Sequence, residues 1–246
     1  MRFFVKIAYR GTSFAGWQSQ QSGVHTIQET IEQGLSRISG SSKSIIGCGR
    51  TDTGVHASEY YFHVDSEMDL AGKEFQLNAV CGHEIAIKKI IRVHDDAHAR
   101  FDATMRAYEY HMHTYKDPFL RGLSFHFKDQ FDFDLCKEAA QLILNFQDFT
   151  TFCKSNSDVN HKRCTLHISE WEEINPGQYV YKISANRFLR GMVRLIVGMC
   201  LNVGKGKLSL EEVRDALERK SILNQAWSVP AQGLYLSKIT YPFDLN

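Results

Sequence analysis

The sequence predicts an α+β fold made of two tandem β-α-β-β-α-β halves, residues 1–98 and 99–246. Three observations predict it. Short alternating or β-branched apolar runs are interleaved with stretches in which apolar residues recur every three to four positions. Helix start and stop signals bracket the second kind, and polar turn clusters separate the first. The order of segments in the first half then returns in the second.

Phe3–Arg10 is an apolar-rich strand, and 11–25 is a polar loop holding Phe14, Trp17 and Gln18. Thr26-Ile27-Gln28-Glu29 is a capping box, so a helix runs from Ile27 to about Ile38. Ile27, Ile31, Leu35 and Ile38 keep to one face, and Gly40 closes it. Ser44–Cys48 and Tyr60–Val64 read as the two strands of a hairpin. Asp69–Val80 reads as a second helix and Ile85–Val93 as a β-branched strand. This order is the ferredoxin-like unit that RNA-recognition (RRM-like) modules also use.

In the second half Thr104–Tyr115 is a strand and Phe133–Asn145 a helix with Leu135, Ala139, Leu142 and Ile143 inward. Thr165–Glu173 and Tyr179–Ala185 form a hairpin across Asn175-Pro176-Gly177-Gln178. Phe188–Val203 is a long apolar helix stopped at Gly204. Ser209-Leu210-Glu211-Glu212 starts an amphipathic helix to about Arg219, and Gly233–Tyr241 is the last strand. Apart from that extra helix the plan repeats. The expectation is pseudo-two-fold symmetry, with the two sheets side by side and an active-site cleft between them.

Composition narrows the class. No window approaches the apolar length of a membrane span, so no membrane partner is expected. The six cysteines are scattered without a Cys-x-x-Cys, as in a reduced, cytoplasmic protein, and not a disulfide frame or zinc site. His111 and His113 share a strand face but lack carboxylate or thiol neighbours, so a surface or core pair is expected and no metal. Net charge is only +1, yet the charge is segregated. Residues 1–28, 33–51 and 174–210 carry cations and no acid, including Arg10, Arg50, Arg187, Arg190 and Arg194. Such segregation builds a basic groove on a nearly neutral protein, or is solvated surface clustered by chance.

The hairpin loop Gly49-Arg50-Thr51-Asp52-Thr53-Gly54-Val55-His56-Ala57 gathers a cation, a carboxylate, hydroxyls and an imidazole between two glycines. Asp52 reads either as an Asx-turn residue or as an isolated ionised carboxylate acting as nucleophile or base. An aspartic-protease dyad is rejected, because Arg50 favours an ionised carboxylate and the apolar surround of a shared-proton pair is absent. Trp17 reads as a core anchor or as a base-stacking residue.

The nine-residue string resembles the catalytic motif of tRNA pseudouridine synthases of the TruA type, Gly-Arg-Thr-Asp-x-Gly-Val-His-Ala. Further stretches resemble the family in order. Tyr9–Gln18 is similar to its Tyr-Asp-Gly loop, with Arg10 and Phe14 as departures. Ala99–Tyr110, Ala185–Gly198 and Ala231–Leu236 are similar to its later motifs. Tyr60, Gly191, Ala107 and the missing proline after Asn78 depart from the usual pattern, near the expected RNA face.

The resemblance implies an isomerase that detaches uracil at N1 and rejoins it through C5 to the same C1′, with no cofactor and no metal. It implies Asp52 as the catalytic carboxylate and Arg194 as the cation paired with it. Tyr108 would lie against the target uracil, Arg50 would hold the flipped nucleotide, and Phe188 and Leu189 would line the base pocket. It further implies a homodimer as the working form and tRNA as partner, with uridines at the 3′ side of the anticodon loop and adjoining stem as targets. A synthase for another RNA and a catalytically silent RNA-binding module remain open readings.

Overall fold

The computed structural model describes residues 1–20, 23–153 and 161–245. It is a mixed α/β structure in two units, Met1–Met105 together with the segment from Tyr235 onward, and Arg106–Leu234. Among the described residues no helix is long and apolar enough to cross a membrane.

In the first unit β1 (Arg2–Tyr9) lies antiparallel between β3 (His56–Asp65) and β4 (Ile85–Val93). The other edge of β3 is shared. Its Phe62–Val64 pair antiparallel with the short β2 (Ile45–Gly47), while His56 and Ala57 pair parallel with β9 (Leu234–Thr240). The expected hairpin is therefore present. Helix α1 (Ile27–Ser39) starts as its capping residues require, the Thr26 hydroxyl accepting the Glu29 N–H at 3.3 Å, and closes at Gly40. It buries Ile27, Ile31 and Leu35. Helix α2 spans only Glu74–Val80. The expected start at Asp69 fails because that carboxylate accepts the Ala71 N–H and closes a local turn, followed by a Lys73–Leu70 backbone bond.

The second unit carries β5 (Met105–His113), β7 (Leu166–Asn175) and β8 (Gln178–Ala185), with β8 antiparallel to both neighbours. A two-residue β6 (Phe125–His126), unforeseen in the sequence, runs parallel to β5. Helix α3 (Phe133–Leu142) is capped by Asp132 and continues as a 3-10 turn through Asn145. It buries Cys136, Ala139 and Ala140, whereas Leu135 is half-exposed rather than inward. Helix α4 (Met192–Gly204) begins four residues later than the apolar run suggests. Gly191 stands at φ 73°, a left-handed conformation that a helix cannot contain and that glycine adopts without strain. Helix α5 (Leu210–Arg219) has the full capping box of Ser209 and Glu212. The two imidazoles on β5 part company. His113 is buried against the Ser124 hydroxyl, while His111, contrary to expectation, does have a carboxylate neighbour, Glu109 two residues earlier on the strand; no metal-holding group occurs among the described residues.

One core histidine sets a pH limit. His63 is 3% exposed and its Nδ1 accepts the Ala99 N–H at 3.1 Å, which requires an unprotonated nitrogen there. Burial, and then the nearby Arg2 guanidinium, push the imidazole down from 6.5 to about 4. The folded state therefore binds fewer protons than the unfolded chain between those values. Stability should be flat above pH 6.5 and fall as pH drops from 6.5 towards 4, with His63→Gln flattening that fall. Urea midpoints across this range test it, and an identical acid limb in the variant would assign the loss to other groups.

Candidate active-site loop and the residues predicted around it

The loop between β2 and β3 is fixed along its length. Cys48 N–H donates to the Tyr61 carbonyl at 2.8 Å, and the Tyr60 hydroxyl donates to the Gly49 carbonyl at 2.6 Å. Thr51 is held twice. Its carbonyl accepts the Trp17 N–H at 3.1 Å, and its hydroxyl shares a 2.8 Å hydrogen bond with the Tyr9 hydroxyl. The Val55 N–H donates to the Asp52 carbonyl at 3.1 Å, closing a turn. At the far end the His56 Nδ1 accepts the Gly11 N–H at 3.0 Å, and its ring stacks on Tyr235 at 4.5 Å. Thr51 and His56 are buried, Asp52 is half-buried and Arg50 is exposed. Hydrogen bonds at Cys48, Gly49, Thr51, the Asp52 carbonyl and His56 thus fix the backbone around Arg50 and Asp52. A carboxylate carried on such a loop is pre-oriented for chemistry, because its backbone has little freedom to lose.

The anchor is an aromatic cluster that the motif does not announce. Trp17 is 2% exposed and stacks on Tyr60 at 4.1 Å, with Tyr9 edge-on to Tyr60 at 5.6 Å. Of the two readings of Trp17, core anchor is the one observed. Tyr60 is fully buried, so this departure from the family pattern lies beneath the loop and not on an RNA face. The available signal was strand periodicity, which sets Tyr60 on the same face as Phe62 and Val64. Tyr60→Phe should keep the stack but orphan the Gly49 carbonyl. The expected cost is about 1–2 kcal/mol in thermal or urea unfolding. An unchanged midpoint would mean that solvent replaces the hydroxyl.

The other predicted residues lie in the second unit. Tyr108, on β5, meets Phe188 edge to face, with ring centroids 5.1 Å apart and planes at 88°. Both rings are half-exposed, so the pair presents aromatic surface. Leu189 is 5% exposed, and its carbonyl accepts the Met192 N–H where α4 begins. Arg194 is in the first turn of that helix and half-buried; its Nε donates to the Val229 carbonyl at 2.6 Å. The Val229 N–H in turn donates to the Arg194 carbonyl at 3.3 Å. That double tie fixes the guanidinium's stem against the 223–230 segment. The structure thus brings Tyr108 and Phe188 together in one unit and Arg50 and Asp52 in the other.

Comparison with known proteins adds a separate line of support. Residues 139–242 match a family described as tRNA pseudouridine synthase. Over 99% of its length the chain is 40% identical to the tRNA pseudouridine synthase A of Porphyromonas gingivalis, covering 98% of that protein. It is 39% identical to the protein of that name from Bacteroides fragilis, over 99% of this chain and 98% of the relative. The tRNA pseudouridine synthase A of Staphylococcus carnosus is 38% identical, over 97% of this chain and 90% of that one.

Proposed function

The chain belongs to the tRNA pseudouridine synthase A family, an isomerase making pseudouridine in tRNA, and from that premise we propose that Asp52 carries the reaction at the ribose of uridines in the anticodon arm. The reaction breaks the C1′–N1 bond, turns the uracil and forms C1′–C5, after which the C5 proton leaves and N1 takes one up. Asp52 either adds to C1′ or removes the 2′ proton. The observation that carries the reading is the half-buried carboxylate on a loop fixed at Gly49, Thr51 and His56, within a nine-residue motif match.

The remaining assignments follow the motifs residue by residue. Arg194 is the counter-cation to Asp52, and Tyr108 lies against the extruded uracil. Phe188 and Leu189 line the base pocket, and Arg50 holds the flipped nucleotide. Extrusion is required because a stacked base hides its sugar, at a cost of about a few kcal/mol. The halves 1–98 and 99–246 are copies of one β-α-β-β-α-β plan. Strand order supports this reading: β4-β1-β3-β2 in the first, and β5-β8-β7 matching β1-β3-β2 in the second. The working form is a cytoplasmic homodimer holding tRNA.

Mapping pseudouridine in cellular tRNA and rRNA, with and without the gene, tests the proposal. Loss confined to uridines of the anticodon stem-loop supports it. Loss confined to rRNA, or none at all, overturns it.

A further inference from the structure

The turn from His98 to Asp102 in the first unit is built with more hydrogen bonds than its own burial explains. The His98 N–H donates to the Asp102 carboxylate at 2.7 Å, and the Asp102 N–H returns to the His98 carbonyl at 3.1 Å. The His98 Nδ1 accepts both the Arg100 and the Phe101 N–H, each at 3.2 Å. Ala99 is clamped on both sides, its N–H to His63 Nδ1 and its carbonyl by the Tyr241 hydroxyl at 2.7 Å. The Arg2 guanidinium donates to the Ala97 carbonyl at 3.0 Å. Ala97 and Ala99 are fully buried.

This rigid turn does not bury its largest side chain. Phe101 is 75% exposed. Its ring stacks on the His98 imidazole, with centroids 4.2 Å apart and planes at 30°, and the Arg100 guanidinium carbon stands 5.7 Å from its centroid. His98 is itself set edge-on against the buried His63 at 4.8 Å, so the stack is rooted in the core. Phe75 and Phe119 are more exposed still, at 82% and 86%, but among the described residues neither has a ring or cation set against it. Asp95 accepts the Arg2 N–H, and the Asp102 carboxylate accepts the His98 N–H.

An aromatic ring held out rigidly beside a guanidinium suits one class of ligand, a nucleobase with its phosphate. The π-face accepts any base, and arginine takes the phosphate or stacks. Holding the ring in place beforehand removes the ordering cost of binding. We propose that His98, Phe101 and Arg100 form a stacking platform for an unpaired base of the tRNA substrate, separate from the Asp52 loop and serving affinity rather than chemistry. This rests on the tRNA reading above.

The test compares the full chain with Phe101→Ala, Phe101→Leu and Phe101→Trp. Three quantities are read: affinity for an unmodified tRNA transcript at fixed salt, the single-turnover rate at saturating enzyme, and molar mass in solution. Alanine and leucine should each weaken binding by about tenfold, and tryptophan should restore it, because stacking needs an aromatic face. The saturating rate, the melting temperature and the mass should not change. Wild-type affinity in Phe101→Ala, or full affinity in Phe101→Leu, would overturn the platform. So would an affinity loss accompanied by a drop in molar mass, which would assign Phe101 to a contact with a second copy. Affinity is read apart from conversion, so a wild-type chain that binds tRNA without converting it would sink the enzymatic reading, and the variants' affinities would still decide this one.

Discussion

Asp52→Asn yields a folded chain that binds tRNA with wild-type affinity and forms almost no pseudouridine. The amide keeps the size of the carboxylate but cannot add to C1′ or take the 2′ proton. Removing a nucleophile or base of this kind costs about 10⁴-fold in rate. The loop should survive the change, because its fastenings run through Gly49, Thr51, His56 and the Asp52 backbone carbonyl. Tritium released from C5-labelled uridine in tRNA measures the rate directly. A variant within tenfold of wild type would move the chemistry to another residue, and one that fails to melt cooperatively would make Asp52 structural.

Gly11→Ala should cost both stability and rate. A methyl group at Gly11 would meet the Val55 carbonyl oxygen at 1.9 Å and its carbonyl carbon at 2.6 Å. Both are backbone atoms of the strand entering β3, so no side-chain rotation relieves the clash. The same glycine donates its N–H to His56, so moving it apart loosens the far anchor of the loop. Overpacking of this severity costs about 3 kcal/mol or more. A urea midpoint lowered by that amount, with a reduced turnover at saturating tRNA, is the expected pair of results. Wild-type stability would show that the loop's far anchor yields without cost.

The parts of this structure legible in the sequence were those decided within a few residues. The ends of α1 and α5 follow from Thr26 with Gly40 and from Ser209 with Glu212, because capping is a local exchange of hydrogen bonds. Apolar periodicity starts α2 and α4 too early for equally local reasons: the Asp69 turn and the left-handed Gly191 override it. The Asp52 loop stood out because its polar residues interrupt two strands. What holds it did not. Tyr9, Trp17 and Tyr60 come from β1, the following loop and β3, and only packing in three dimensions joins them. The Phe101 turn was hidden in the same way, since its clamps reach from Arg2, His63 and Tyr241.

The last strand has a consequence for how the chain comes to be folded at all. From Tyr235 onward the polypeptide returns to the unit that holds its beginning, where Leu236 pairs with Ala57 and Phe243 sets its ring against Phe4 at 5.7 Å. A ribosome therefore delivers every residue of the other unit before the first can close. The nascent amino-terminal part waits with one strand missing, its β3 edge half-covered and open to wrong partners. Emergence of Tyr235 and the residues after it becomes the step at which the loop bearing Asp52 gains its Tyr235 support, so a product truncated before that point is born with that support absent.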